Sequence, residues 1–515
     1  MIIVNKPKVT IAGAGGGKTH EMITEIIKIL PILKKHPEKF CVVITYTNSA
    51  TKEIKKRIST LVGIPRNLHI STTHSFSTTF IIEPYAHLLK MLPIDKNYID
   101  KVNLHYKSKN FFAERASCGK LASDLSKDKG VIIYDKILEI AHELISSAEV
   151  CAQVSNRLAY IFVDEYQDMR LYQHQIFQAI VNKGKSNFFC IGDPLQSIFN
   201  FSYGQSQLLK EPKPKSFKTS PLLELYNNND YEKKSIKHNN RCSNNIINFI
   251  NHFNKVLNYE QELPNDKKCN NIPIFFITGN NNESIIEKYN QILSKYKIGK
   301  DPGNMYSLYL SKDWRTVEDI ENVSVINNDE HSIKSIFKEC SRCVLSALGI
   351  NKREFYEILT EKDDNVKYML FRQFCFAILK DSKDPNIEVN SDYIFNKFKS
   401  TFNVTITDDK RKNIDISKSL LKLNFTRKPV LKDIFCSTIH SAKGLESTNV
   451  LVFAKTNNQL LKWIDFNNVT HDTDDEFRLG YVAFSRAREL LCITSLEQPS
   501  KKLLDAITAI NVEIV

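Results

Sequence analysis

The sequence predicts an α/β protein with two parallel-sheet domains, each carrying a mainly helical insertion. Short, continuously apolar segments alternate with segments of helical periodicity, as in a sheet that helices cover on both faces. This alternation begins again after about residue 220. Two segments, Pro84–Glu149 and Asn327–Pro429, interrupt it with helical patterning, many lysines and asparagines, and few strand signals.

These changes of pattern set the expected domain boundaries. We expect the first α/β domain over residues 1–85 and 150–220, and the second over residues 221–326 and 430–515. The helical insertions are expected over residues 86–149 and 327–429. The chain of 515 residues is long enough for three or four folding units of about 150 residues each.

The apolar segments give the expected strands. In the first domain they are Lys8–Ile11, Phe40–Thr45, Tyr160–Val163 and Asn187–Ile191; in the second they are Ile274–Ile277, Tyr306–Tyr309 and Val450–Phe453. A helix after the first strand has apolar residues on one face, and Pro31 is expected to kink or shorten it. A second helix is expected over Asn244–Asn254.

Composition limits the class of protein. The chain has 71 Lys and Arg against 58 Asp and Glu, a net charge of +13, which suits a polyanionic partner but is explained equally well by solvated lysine-rich faces. Eleven scattered cysteines form no disulfide framework, which predicts a reducing, cytoplasmic compartment. Cys340 and Cys343 lack a second pair, so chance explains their spacing better than a metal site. No apolar run reaches the ~18–20 residues of a membrane span, and no signal-peptide core is present.

The strongest local signal is the glycine-rich segment Ala12–Thr19, between a predicted strand and a predicted helix. Glycines let backbone N–H groups wrap a phosphate chain, and the helix adds its positive end. Lys18 is expected to reach the β and γ phosphates, and Thr19 to bind Mg²⁺. The strict pattern has glycine where Ala12 stands. The expected phosphate-binding residues are Ala12, Gly13, Ala14, Gly15, Gly16, Gly17, Lys18 and Thr19.

A nucleotide hydrolase also needs an acid for the metal and an acid for water. Asp164 and Glu165 follow the strand Tyr160–Val163. We expect Asp164 to hold Mg²⁺ and Glu165 to polarise the attacking water. Adjacent acids are common on loops, so this pair is informative only together with the glycine-rich segment.

Several segments resemble, in order, the motifs of the UvrD/Rep/PcrA group of superfamily-one helicases. They are Asp164–Asp168 (DEYQD), Thr45–Ala50 followed by Glu53 and Arg57, Thr73–Phe76, Gly192–Phe199, Asn239–Ser243, Thr438–Glu446 and Tyr481–Ala487. The resemblance implies two RecA-like motor domains of the P-loop NTPase class. It also implies an ATP-dependent 3′–5′ helicase or translocase on single-stranded or partly duplex DNA.

The resemblance also assigns roles at matching positions. Gln196 would sense the γ phosphate, Arg241 and Arg486 would reach it from the second domain, and Glu446 would contact the nucleotide sugar. Catalytic roles are thus expected for Lys18, Glu165, Gln196, Arg241 and Arg486. Contacts to DNA are expected for Thr47, Asn48, His74, Phe201 and His440, where the two histidines are alternatively domain-interface residues and Phe201 is alternatively a core residue. Core packing is the preferred role for Phe199.

Departures from the family pattern affect base recognition. Residues 1–11 contain no glutamine to recognise adenine, and Asn240 stands where the family has a base-stacking tyrosine. Hydrolysis is therefore expected to extend from ATP to GTP and dNTPs. Ser202 stands where arginine is usual, which weakens the strand-contact assignment.

The chain ends about one helix and one strand after the last motif, so we expect no fused nuclease of the RecB kind. In compactness it resembles the helicase-like GajB subunits of Gabija antiphage systems. That resemblance implies a separate partner nuclease, such as an OLD-family nuclease, in antiphage defence or DNA repair. An alternative is a DNA-stimulated NTPase that senses DNA ends or nucleotides and regulates such a partner with little unwinding. A P-loop kinase would leave the last two motifs unexplained.

Overall fold

The structure, a computed structural model, describes most of the chain. The described residues are 2–89, 132, 136–199, 216–266, 271–279, 281–298, 307–313, 324–325, 333–359, 364–382, 384, 387–404, 434–472 and 474–515. They divide into two compact units. The larger unit comprises Met1–Ile320 and Ala442–Val515, and the smaller comprises Glu321–Ser441.

The first sheet of the larger unit has six parallel strands in the order β3-β2-β4-β5-β1-β6. The strands are β1 Lys8–Ala12, β2 Phe40–Thr45, β3 Leu68–Thr72, β4 Leu158–Val163, β5 Asn187–Gly192 and β6 Glu232–Ile236. The central strand β4 is buried along its whole length, because helices cover both faces. Each expected strand of this domain is present within a residue or two of its predicted bounds.

Strand β6 corrects the predicted boundary between the domains. The sequence analysis placed residues 221–236 in the second domain, but β6 pairs with β1 in the first sheet. Leu222 and Leu225, on the preceding helix, belong to the hydrophobic core of that sheet. The strand was missed because it is a mostly exposed edge strand of sequence EKKSI, which contains no apolar run.

Helices cover this sheet on both sides. They are α1 Lys18–Lys34, α2 Asn48–Leu61, α3 Thr73–Phe76, α4 Glu83–Tyr85, α5 Ile137–Ile145, α6 Ala148–Arg157, α7 Leu171–Val181 and α8 Pro221–Asn227, with a π-helix at Ser77–Ile82. Helix α1 continues past Pro31 to Lys34, so the proline does not end the helix. Proline removes only one backbone donor, and Ile26, Leu30 and Leu33 anchor this last part of the helix in the core.

The second sheet of the larger unit is formed by strands from the later part of the sequence. Its strands in this unit run in the order β13-β7-β12-β11-β8 and pair in parallel. They are β7 Phe275–Ile277, β8 Ser307–Ser311, β11 Ser447–Ala454, β12 Ala487–Ser495 and β13 Glu513–Ile514. The helices are α9 Asn244–Asn254, α10 Asn282–Lys295, α15 Asn457–Trp463, α16 Glu476–Phe484 and α17 Lys501–Ala509. The predicted helix Asn244–Asn254 is confirmed.

The smaller unit is mainly helical where it is described. Its helices are α11 Ile333–Leu348, α12 Lys352–Ile358, α13 Asp364–Asp381 and α14 Ser391–Phe402, and β9 Ser324–Val325 pairs in parallel with β10 Ile434–Thr438. The core is rich in phenylalanine, and Phe355 contacts the rings of Phe371 and Phe398. Cys340 and Cys343 are buried in this core. Within the described residues no three or more His, Cys, Asp or Glu side chains group together to hold a metal ion, and no helix has the length and apolarity to span a membrane.

The topology of the first sheet determines where its polar loops meet. Strand β5 pairs with β1 on one side and with β4 on the other. All three are parallel, so their carboxyl ends lie at the same edge of the sheet. The glycine-rich loop, the paired acids and the segment after Gly192 therefore lie together.

Candidate active site

The glycine-rich loop lies between β1, which ends at Ala12, and α1, which begins at Lys18. Gly15 and Gly17 have φ angles of +74° and +77°, which residues with side chains rarely adopt. The Gly16 amide donates to the Gly13 carbonyl at 3.1 Å and closes the turn. The loop thus has the strand–loop–helix setting that phosphate binding requires, with Thr19 in the first turn of α1.

The two predicted acids follow the end of β4. Asp164 is 4% exposed, and its backbone amide donates to the Ile44 carbonyl at 2.9 Å. Glu165 has a φ of +51°, an unusual angle for a residue with a side chain, and its carboxylate accepts from the Gln167 amide. Such backbone strain is found most often at functional sites.

The two carboxyl groups have opposite pKa shifts. Burial, together with the adjacent Glu165, raises the pKa of Asp164 to about 7. Burial would also raise the pKa of Glu165, but the positive charges of Lys18 and Lys443 outweigh it, so that pKa is lowered. Glu165 is therefore ionised at neutral pH, as a group that polarises water must be.

The residues present fit a magnesium ion. Asp164 is a buried carboxyl whose charge its surroundings disfavour, and a divalent cation would offset that cost. Carboxylate and hydroxyl oxygens, as in Asp164 and Thr19, are the hard ligands that Mg²⁺ prefers.

Side chains from beyond residue 238 cover the phosphate loop. The Ala14 carbonyl accepts from the side-chain amides of Asn239 and Gln261, each at 3.0 Å. The Gly13 amide donates to the Tyr259 hydroxyl at 2.8 Å, and the Ala14 amide donates to the Tyr481 hydroxyl at 3.0 Å. The first part of the loop is therefore held by four side chains that are distant in sequence.

The predicted γ-phosphate sensor Gln196 is buried after β5. Its side-chain amide donates to Oδ2 of Asp193 at 2.7 Å, and the Tyr481 hydroxyl donates to the same oxygen at 2.9 Å. The Asp193 amide donates to the Gln167 side chain at 2.9 Å. These contacts join Gln196 to both the acidic motif and the helix that carries Tyr481.

The two predicted arginines lie on the second-sheet side of the site. Arg241 forms an ion pair with Glu446 and donates to the Ser485 carbonyl at 3.1 Å. Glu446, the residue expected at the nucleotide sugar, also pairs with Arg488. Although burial alone would raise it, these two positive charges lower the pKa of Glu446 to about 2.

Arg486 is 1% exposed and donates mainly to its own segment. Its partners are the Val482 carbonyl at 2.9 Å, the Ser485 hydroxyl at 3.1 Å and the Leu445 carbonyl at 3.4 Å. Burial and Arg241 lower the pKa of Arg486 to about 10, which leaves it charged at neutral pH. Its charge also helps to lower the pKa of Glu165.

Lys443 connects the acidic motif with the segment after β5. Its ammonium group pairs with Asp168 at 2.5 Å and donates to the Gln196 carbonyl at 2.8 Å. The same group lies 5.0 Å from the ring centroid of Phe199. Phe199, half-buried, stacks on Tyr46 with the centroids 5.4 Å apart. Its packing role is therefore combined with a contact to a cation.

Of the residues expected to contact DNA, Thr47, Asn48 and His74 lie in the larger unit. Thr47 and Asn48 are exposed at the start of α2, where the Thr47 hydroxyl accepts from the Ala50 amide and caps the helix. His74 lies on α3, and burial and then Arg170 lower its pKa to about 4. Phe201 lies outside the described residues, and so does Ser202. His440 belongs to the smaller unit, Glu321–Ser441.

An open pocket of about 520 Å³ adjoins the phosphate loop. It lies between the first turn of α1 and the segment from β6 to Asn240. Its lining includes Gly17, His20, Glu21, Lys234, His238, Asn240 and Glu262. The described lining contains no Phe, Tyr or Trp ring, and Asn240 is one of the lining residues.

Sequence reasoning missed several residues of the site. Asn239, Lys443 and Tyr481 lie inside motifs but were given no role. Tyr259 and Gln261 lie outside every motif, and no local pattern distinguishes them. Their contacts with the phosphate loop depend on how the chain folds back over it.

Comparison with known proteins agrees with this geometry. The family model of the UvrD/REP helicase N-terminal domain matches residues 2–117 and 96–216, and that of the UvrD-like helicase C-terminal domain matches residues 286–498. The Gabija protein GajB of Bacillus cereus is 24% identical over 98% of this chain and 95% of its own length. A probable DNA helicase II homolog of Mycoplasma genitalium is 22% identical over 95% of this chain and 83% of its own.

An ATP-dependent DNA helicase Rep of Buchnera aphidicola is also similar, with 22% identity over 96% of this chain and 91% of its own length. Both halves of the family's motor are thus matched, and the matched residues include the phosphate loop, the acidic motif and the helix of Tyr481. The chain belongs to the UvrD/REP family of DNA helicases, which are ATP-dependent and hydrolyse ATP.

Proposed function

We propose that this chain hydrolyses nucleoside triphosphates to move 3′ to 5′ along single-stranded DNA, unwinding duplex as it goes. The observation that carries the proposal is the position of Lys443. Its ammonium group contacts Asp168 and the Gln196 carbonyl, in the hydrolytic machinery. It also lies over the ring of Phe199, in the segment Gly192–Phe199, which resembles the family motif that couples nucleotide state to the DNA groove. A change at the nucleotide can therefore reach the segment of Phe199 through a few direct contacts.

The hydrolytic roles follow from the charges and contacts of the site. Lys18 and the loop amides hold the phosphates, and ionised Glu165 polarises the attacking water. Gln196 senses the γ phosphate. Arg241 and Arg486 stabilise charge in the transition state from the second-sheet side, which makes hydrolysis depend on the approach of the two sheets. When bound by Thr19 and Asp164, Mg²⁺ neutralises charge on the phosphates.

Nucleotide choice should be broad. The pocket beside the loop offers charged and amide side chains such as Glu21 and Asn240 rather than the large ring of a Phe, Tyr or Trp. Stacking would therefore add little discrimination between bases. We propose that GTP and dNTPs serve as well as ATP, and that Glu446, which pairs with Arg241, contacts the sugar.

The proposed DNA contacts are the positions that match the family motifs. Thr47 and Asn48 present exposed polar groups at the amino end of α2, where backbone N–H groups favour phosphate. We assign Phe201 to base stacking, worth about 1–3 kcal/mol per base, and His74 and His440 to polar contacts. The two RecA-like halves and their helical insertions would then form the motor.

The biological setting is also part of the proposal. Similarity to a Gabija protein over almost the whole chain supports a place in an antiphage defence or DNA repair complex. The proposed partner is a separate nuclease subunit, such as an OLD-family nuclease. The described cysteines are all buried and without disulfides, in keeping with a cytoplasmic location.

The first experiment is NTP hydrolysis by the purified chain with ATP, GTP and dATP, in the presence and absence of single-stranded DNA. Strong stimulation by DNA is expected, and unwinding should then require a 3′ tail rather than a 5′ tail. Lys18→Ala is the inactive control. A requirement for a 5′ tail would refute the direction. Hydrolysis indifferent to DNA, or absent until another protein is added, would refute the translocase and support the NTPase sensor that regulates a partner.

A further inference from the structure

We propose that Tyr481 is a positioning residue for hydrolysis, whose hydroxyl transmits the state of the phosphate loop to Gln196. This inference rests on the proposed function. The hydroxyl accepts from the Ala14 amide at 3.0 Å and donates to Oδ2 of Asp193 at 2.9 Å. The side-chain amide of Gln196 donates to the same oxygen at 2.7 Å. A single oxygen of Asp193 therefore joins the loop to the sensor.

The contacts of the Tyr481 hydroxyl are fully buried. Tyr481 has no exposed surface, and its ring packs edge-on against Phe253, with the centroids 5.6 Å apart. Burial raises the pKa of the phenol well above its usual range. The hydroxyl therefore stays protonated and donates a hydrogen bond to Asp193. The three groups Ala14, Asp193 and Gln196 are all buried, where hydrogen bonds are strong because no water competes for them.

Tyr481 holds the carboxylate oxygen of Asp193 that also binds Gln196. Its other carboxylate oxygen accepts from the Leu195 amide at 3.1 Å, and its backbone amide donates to Gln167 at 2.9 Å. Only Oδ2 faces both Tyr481 and Gln196. Loss of the tyrosine hydroxyl would leave this buried charge with fewer donors and would release Gln196 from a fixed position.

Tyr259 provides a built-in comparison. Its hydroxyl also binds a loop amide, that of Gly13 at 2.8 Å, and it too is almost fully buried. However, it donates to the Ile236 carbonyl of β6 rather than to Asp193. The two tyrosines therefore share the contact with the loop, but only Tyr481 is linked to Gln196.

Phenylalanine variants separate these roles, because they keep the ring and remove only the hydroxyl. For Tyr481→Phe we expect kcat to fall about ten- to a hundredfold, the range that follows from a displacement of about 1 Å in a positioning group. The dissociation constant of the nucleotide should change less than about threefold. Tyr259→Phe should alter kcat less than Tyr481→Phe does. Tyr289→Phe, which loses a buried hydroxyl contact with Asn449 rather than with the phosphate loop, should change neither quantity.

A double-mutant cycle with Gln196→Ala tests the route itself. If Tyr481 acts through Gln196, adding Tyr481→Phe to Gln196→Ala should lower kcat by less than about twofold. Asp193→Asn approaches the same link from its middle, and it replaces Tyr481→Phe in the cycle if that variant does not fold.

Three results would overturn the inference. They are wild-type kcat in Tyr481→Phe, a fall in nucleotide affinity as large as the fall in kcat, and losses that multiply independently with Gln196→Ala. A wild-type chain without hydrolysis in the presence of DNA would overturn the proposed function as well. Active wild type with unaffected Tyr481→Phe would overturn this inference alone.

Discussion

Replacing Lys443 with methionine should remove the main ionic contact between the acidic motif and the second-sheet side of the site. The side chains of Lys443 and Asp168 are 10% and 1% exposed, so this is a buried ion pair. Removal of one partner from such a pair costs about 3–5 kcal/mol, because the other charge is left unpaired. The lost hydrogen bond to the Gln196 carbonyl adds about 1 kcal/mol.

The pKa of Asp168 limits this cost and makes it depend on pH. Burial raises that pKa to about 6 despite the attraction of Lys443, and loss of Lys443 will raise it further. At pH 7 the carboxyl of the variant takes up a proton, so we expect a loss near the lower end, about 3 kcal/mol. Below pH 6 the carboxyl is protonated in both proteins, and the difference in stability should shrink. Above pH 6 the carboxyl ionises at a smaller penalty in the wild type than in the variant, and the difference should grow.

The assay is chemical denaturation of Lys443→Met, Asp168→Asn and the double variant at pH 5.5 and pH 8. The double variant should lose less stability than the two single losses added together, because it leaves no charge unpaired. Its DNA-stimulated hydrolysis should remain low, since the contact with Phe199 is gone. The control is Lys28→Met, which breaks an exposed pair with Glu25 on α1 and should leave stability almost unchanged.

Additive losses in the double variant, or a loss for Lys443→Met that is equal at both pH values, would refute this reasoning. Either result would mean that Asp168 is not held by Lys443 in solution. Normal stimulation of hydrolysis by DNA in Lys443→Met would separately refute the proposed role of Lys443 as the link between the nucleotide site and the segment of Phe199.

Three further predictions concern single residues. Glu165→Gln should abolish hydrolysis but keep nucleotide binding, since it removes the ionised carboxylate and preserves size; phosphate release and nucleotide titration measure the two, and near-normal turnover would disprove the assignment. Arg486→Lys should lower turnover by about 10³-fold or more with affinity retained; affinity that falls equally in the titration would mean that Arg486 serves only ground-state binding. His74, whose pKa is lowered to about 4, is neutral at pH 7, so DNA affinity between pH 6 and 8 should vary identically in wild type and His74→Gln. Its folded pKa lies below the unfolded value, so it should reduce stability, by on the order of 2 kcal/mol, as pH falls from about 6.5 to 4; denaturation curves that are equally acid-sensitive in both proteins would contradict this.

The local parts of the site were predictable because each is encoded within a few residues. Gly15 and Gly17 take the positive φ angles that the glycine-rich pattern requires. Asp164 and Glu165 follow a strand whose continuous apolar run is recognisable in isolation. By contrast, β6 was assigned to the wrong domain, since an edge strand of charged residues has no periodic signal. Pro31 predicted a kinked or shorter helix, but α1 continues to Lys34 because the residues around the proline pack in the core.

The sequence alone determined that the chain has a phosphate loop, paired acids and an ordered set of helicase motifs, because these depend on neighbouring residues. Only the tertiary structure decided how they are connected. Arg241 meets Glu446, Asp168 meets Lys443 and Asp193 meets Tyr481 across 205, 275 and 288 residues of chain. Contacts at such separations depend on which strands lie side by side and which loops they bring to one edge. No local pattern contains that information, because it arises from the packing of the whole fold.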